Sequence, residues 1–174
     1  MTEMIEPIRY PGETFSDERG WLRKLEPVSK SLAFTIPKNF NDFYVSKSRK
    51  HVFRGLHVQR HPHLQWKFIR VISGAITSYM INLDSQSKCF NQVYCFQLEA
   101  EDGSALLWPP LHANSFLSLS NDTTIAVPTS GEYKPSCELV ISPTTVSEIN
   151  LPEDCIISSK DKAGLDFRMF NGIS

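Results

Sequence analysis

Long apolar runs are missing from this 174-residue chain. No stretch approaches the roughly 20 residues that a membrane helix needs, so a helical span is excluded and no membrane partner is expected. Paired cysteines are missing too. Cys89, Cys95, Cys137 and Cys155 stand apart with no C-x-x-C, a spacing that suits reduced thiols better than a disulfide framework or a zinc cluster. An excess of charge of either sign is also absent: with 21% charged residues and a net charge of −1, the chain does not have the balance of a dedicated nucleic-acid binder. The opening stretch "MTEMIEPIRYPGETF" has no charged-then-apolar signal pattern, so a cytoplasmic location is expected.

Helical periodicity is scarce as well. Only "SKSLAF" from Ser29 and "SSKDKAG" around Lys160 offer a turn or two of helix. What dominates is apolar alternation of period two in short runs, with strands expected at 21–25, 40–48, 52–59, 66–73, 75–83, 91–99, 104–108, 115–118, 123–127 and 137–142. Gly74 marks a tight reversal or kink, and "AEDGS" at 100–104 carries the Asp-Gly signature of a hairpin. No repeat or linker divides the chain, so residues 1–174 are expected to form one all-β sandwich with few short helices.

Acid is absent from one window in particular. Between Lys47 and Arg70 lie Lys47, Arg49, Lys50, Arg54, Arg60, Lys67 and Arg70, with His51, His57, His61 and His63, and not one Asp or Glu. Strand alternation would gather Arg54, His57 and Lys67 at one face, a compact cationic site suited to a phosphate or diphosphate. Arg54 and His57 flank Gly55 and share a face only if the strand is irregular there. Lys47, Arg49 and Lys50 read more simply as solvated.

Three histidines raise the question of a metal. Cupin sandwiches often carry H-x-H followed by Glu on one strand and a later His. Here no acid follows His63, Pro62 interrupts the pair, and "GSALLWPPLHAN" puts Asn114 where the later ligand would stand, so no metal is expected. His57 remains a candidate proton carrier, and Asp161 in the polar turn near the carboxyl end is a candidate carboxylate to orient it.

"FSDERGW" (15–21), "RGLHVQ" (54–59), "QWKFIRVISGAI" (65–76), "GEYKP" (131–135) and "SSKD" (158–161) occur in an order and spacing that resemble the dTDP-4-dehydrorhamnose 3,5-epimerase family. The resemblance covers about residues 13 to 165. It implies a cupin-like double-stranded β-helix, or jelly roll, a homodimer with exchanged amino-terminal strands, and a metal-free, cofactor-free site for a nucleoside-diphosphate 4-keto-6-deoxy sugar. By resemblance His57 is the base that removes a proton alpha to the C4 ketone, Asp161 its partner carboxylate and Lys67 the cation that stabilises the enolate. Arg54, Gln59 and Tyr133 match nucleotide contacts, and Phe15 and Arg19 match residues reaching across from the partner subunit.

The chain departs from that pattern at defined places. Val127 stands where the family has its general-acid tyrosine. A second His-Asp pair near the sugar is matched by Asn114, still expected beside the substrate, and Ser78. Asp42, Tyr44 and Lys24 replace a glutamine, an asparagine and a glutamate. Half of the acid–base machinery is kept and the opposite-face donor is lost, leaving Tyr44 or Tyr133 as possible substitutes. Such a site could epimerise one centre, isomerise a keto sugar or act on another nucleotide sugar. The alternative is a catalytically degenerate sugar-nucleotide-binding protein on the same fold.

Overall fold

In the computed structural model, which describes residues 6–10, 12–24 and 40–173, the period-two runs become strands. In chain order they are Ile8–Tyr10 (β1), Glu13–Asp17 (β2), Gly20–Lys24 (β3), Asp42–Ser48 (β4), Val52–Gln59 (β5), Lys67–Ser73 (β6), Ala75–Asn82 (β7), Val93–Glu99 (β8), Ala105–Trp108 (β9), His112–Ser118 (β10), Thr123–Thr129 (β11), Glu138–Val140 (β12) and Ile156–Ile157 (β13). One sheet runs β1-β9-β6-β11-β4 and the other β12-β5-β10-β7-β8, with β13 parallel to β5; β2 and β3 form a separate hairpin. This is the cupin-like jelly roll that the sequence led us to expect. The one α-helix among the described residues, Ser159–Lys162 (α1), falls in the "SSKDKAG" turn. The helical turn expected at 29–34 and Leu25 of the third strand lie outside the described residues.

Alternation sets the core. From the facing sides of both sheets, Ile69, Met80, Leu98, Leu106, Phe116, Ile125 and Val127 pack into one cluster. On β10 the odd residues Ala113 and Leu117 turn to the far face and join Phe53, Leu56 and Ile81 under the carboxyl-terminal segment. Two turns behave differently from a hairpin. Gly74 and the "AEDGS" segment each carry the chain from one sheet to the other, because β6 and β9 belong to one sheet and β7 and β8 to its opposite. The Asp-Gly pair gives the tight turn; which strands it joins depends on where their free edges find partners.

Strand β5 holds the irregularity that a shared face for Arg54 and His57 requires. On β10, Asn114 pairs with His57 and Phe116 with Arg54, so two steps on one strand face three on the other. The extra residue swings Arg54 and His57 to the same side while Leu56 is fully buried behind them. Gly55 takes φ +116°, and a Cβ there would lie 2.5 Å from both the Asn114 carbonyl oxygen and the Ser115 Cβ. Gly55→Ala is therefore expected to cost roughly 2–3 kcal/mol in chemical denaturation, well beyond a surface Gly→Ala change. An unchanged denaturation midpoint would show that the bulge is not tightly held.

Candidate active site

The bulge opens onto a cavity of about 770 Å³ between the two sheets at one end of the sandwich, a size suited to a small-molecule ligand. His57 projects into it from β5, Asn114 from β10, Lys67 from β6, and Asp42 and Tyr44 from β4. Asp161 comes from α1. The Ser158 hydroxyl caps this helix by accepting the Asp161 N–H at 3.0 Å, and two further backbone bonds, Leu165 N–H to Val140 and Ser142 N–H to Leu165, tie the following turn to the end of β12.

His57 Nε2 lies 2.7 Å from Asp161 Oδ1, and Gly55 N–H points at Oδ2 from 3.4 Å. Burial pushes the Asp161 carboxyl upward, but the His57 hydrogen bond and charge, with help from Gly55 and Ser158, hold it below its ordinary value. An ionised carboxylate only accepts, so Nε2 carries the hydrogen and Nδ1 keeps the lone pair. Nδ1 faces Glu138 Oε1 at 3.6 Å, too long for a hydrogen bond but close enough to steady an imidazolium. Lys67 is partly buried and its Nζ donates to Asn114 Oδ1 at 3.3 Å. Burial, opposed by the charge of Glu138, brings its ammonium down to about 8.

Not every residue singled out in the sequence comes to this place. His57, Asp161, Lys67, Arg54, Tyr133 and Asn114 line the cavity; Gln59 does not. Gln59 is 4% exposed, and its Oε1 accepts the Lys134 N–H at 2.9 Å, which fixes the segment carrying Tyr133. Phe15 and Arg19 sit on the β2–β3 hairpin, outside the cavity of their own chain, with Phe15 48% exposed and Arg19 paired to Asp17. Ser78 is fully buried and holds the Trp108 indole N–H rather than reaching the cavity.

The acid-free window is divided among several tasks. Lys47 pairs with Asp122 on the surface, as a solvated cation would, while Arg70 is 3% exposed and donates to the Gly103 carbonyl at 2.6 Å. His61 and His63 lie in the turn after β5, outside the cavity lining. Among the described residues no group of three or more His, Cys, Asp or Glu is placed to hold a metal ion.

Glu138 and Lys160 were missed. The Glu138 side chain, 9% exposed, ion-pairs with Lys160 and accepts the Tyr133 hydroxyl at 3.0 Å, so the acid that the cationic window lacks arrives from β12 and α1. Signals for both existed: Glu138 follows "GEYKP" by a few residues, and Lys160 directly precedes Asp161. No helix among the described residues is long and apolar enough to cross a membrane.

A 27% identical relative from Shigella flexneri, a dTDP-4-dehydrorhamnose 3,5-epimerase, aligns over 95% of this chain and 93% of its own. The crystal structure of the epimerase of that name from Sulfolobus tokodaii, 29% identical, superposes with a TM-score of 0.87 over 100% of this chain and 97% of that one. The Bacillus anthracis epimerase, solved with TDP and PPi bound, is 26% identical with a TM-score of 0.83, covering 95% and 96%. The family model for dTDP-4-dehydrorhamnose 3,5-epimerase matches residues 2–168, and the chain belongs to that family.

Proposed function

We propose that this protein is a cytoplasmic, homodimeric epimerase or isomerase of nucleoside-diphosphate 4-keto-6-deoxy sugars, with dTDP the expected nucleotide. The observation that carries this reading is the 2.7 Å His57–Asp161 hydrogen bond in a cavity whose opposing sheet supplies the Lys67 amine. A ketone polarises the C–H bonds beside it, yet imidazole alone is too weak a base to break them unless the charge forming on oxygen is met. His57 Nδ1 takes the proton, the C–H electron pair moves into a C=C bond, and the carbonyl pair settles on O4 against the Lys67 ammonium. Asp161 keeps the ring in one tautomer and stabilises the imidazolium that results.

Arg54 lines the cavity mouth, its guanidinium held by Ser48 Oγ at 3.1 Å, in place to meet a diphosphate. The TDP and PPi in the Bacillus anthracis epimerase support the choice of ligand. In a homodimer the exposed Phe15 and Arg19 would complete the neighbouring subunit's site. The free thiols of Cys95, Cys137 and Cys155 suit a reducing compartment.

The test is product analysis. Incubation with dTDP-4-keto-6-deoxyglucose, then borohydride reduction and hydrolysis, is expected to release 6-deoxy sugars changed in configuration at C3 or C5. Val127, fully buried and unable to give a proton, favours the second reading, a binding protein. That reading stands if the nucleotide sugar binds and only unchanged C3 and C5 configurations are recovered.

A further inference from the structure

Inverting a carbon alpha to a ketone needs two groups on opposite sides of the sugar. One removes the proton; the other must return one from the far side, or the original configuration simply re-forms. In this cavity the sides are the two sheets, packed about 10 Å apart. His57, Asn114 and Asp161 stand on or beside the β5 sheet, so the returning proton has to come from the β6-β11-β4 side.

That side offers few donors. Reading across the sheet, Asp42 pairs with Thr129, Thr129 with Lys67 and Lys67 with Trp108, which puts these residues in one inward-facing row. In the adjoining row Tyr44 pairs with Val127, whose side chain is fully buried in the inter-sheet core. Register partners share a face, so the Tyr44 phenol projects from the edge strand over the position that Val127 leaves without polar chemistry. Asp42 is a carboxylate and the Thr129 and Ser46 hydroxyls are much weaker acids than a phenol. Lys67 is turned toward Asn114 and is needed at O4. Tyr44 is 40% exposed, yet packing around its phenol and the neighbouring Asp42 carboxylate push it up to about 12, so like any tyrosine it is protonated at neutral pH.

We propose that Tyr44 is the proton donor on the face opposite His57, returning a proton to the enolate carbon. This rests on the enolisation reading above and adds its stereochemical half. As the O4 charge re-forms the carbonyl, the C=C pair takes the proton from Tyr44 Oη. The tyrosinate left behind is reprotonated by water and the His57 imidazolium gives its proton to water, so the cycle closes with no net change in charge.

The experiment reads exchange and inversion together in one reaction. With dTDP-4-keto-6-deoxyglucose in heavy water, the wild-type protein is expected to incorporate deuterium and invert configuration. Tyr44→Phe keeps the ring and its packing; it is expected to lower the inversion rate by about 10²–10⁴-fold while deuterium still enters recovered, uninverted substrate through His57. A Tyr44→Phe protein that inverts at the wild-type rate overturns the assignment. So does one that loses exchange and inversion in equal measure, because Tyr44 would then act before the enolate forms. If Tyr133→Phe is the variant that separates exchange from inversion, the donor is Tyr133 and the assignment is again wrong. A wild-type protein showing neither exchange nor inversion contradicts the enolisation reading itself, a failure distinct from these.

Discussion

His57→Asn is expected to lower the rate of proton abstraction from a 4-keto nucleotide sugar by about 10²–10⁴-fold, the usual range for removing a positioned general base. Affinity for the nucleotide should change little, because the diphosphate is to be met by Arg54 and not by the imidazole. Asparagine preserves a donor toward Asp161, which would otherwise be a mostly buried carboxylate stripped of its main partner. Stopped-flow or quenched NMR assays of hydrogen exchange, paired with calorimetric titration of dTDP, separate the effects. Retention of most of the exchange rate by the variant would exclude His57 as the base.

Lys67 carries the second large effect. Removing its charge with Lys67→Met is expected to lower kcat by about 10²–10³-fold, the loss typical of deleting one group aimed at a developing oxyanion. Its titration supplies a readout that a packing role would not give. In the proposed mechanism the ammonium is the working form, and burial lets it lose its proton in the free protein as the pH rises through about 8. The wild-type kcat/KM is therefore expected to fall on the alkaline side of about 8. Lys67→Arg, which stays charged at every accessible pH, is expected to keep a smaller activity that lacks this alkaline limb. The same limb in the arginine variant would assign the titration to another group.

Much of the fold could be read from the chain because its signal is local. Alternation along 52–59, 75–83 and 123–127 yields strands in place, for a strand with one buried face must repeat every second residue. Pairing between sheets is not local, which is why the Asp-Gly turn at 102–103 looks like a hairpin and is a corner. Strands β1, β2 and β13 went unseen: they are short, and β2 is exposed along its whole length, so burial leaves no pattern on them.

The site divides in the same way. Arg54, His57 and Lys67 stand out through an imbalance of charge within one window, but Asp161 lies 104 residues from His57, and spacing alone could not have singled out that one polar turn. Gln59 matches a nucleotide contact only by family likeness; in its own chain it stands outside the cavity lining, and its amide oxygen accepts the Lys134 N–H, a partner that sequence cannot reveal. Tyr44 was named as a stand-in acid without a position, and its pairing with Val127 across β4 and β11 supplies one.

The proposed chemistry is removal of a sugar hydrogen by the His57–Asp161 pair beside Lys67, and its most direct measurement follows that hydrogen. A dTDP-4-keto-6-deoxyglucose bearing deuterium at C3 and C5 is mixed with excess protein in ordinary water, and the label left on the sugar is read by mass spectrometry over time. Wild-type protein should release label from at least one of the two carbons to solvent while His57→Asn retains it. If the sugar binds and both deuteriums stay in place through prolonged contact with the wild-type protein, the cavity does not enolise this ketone.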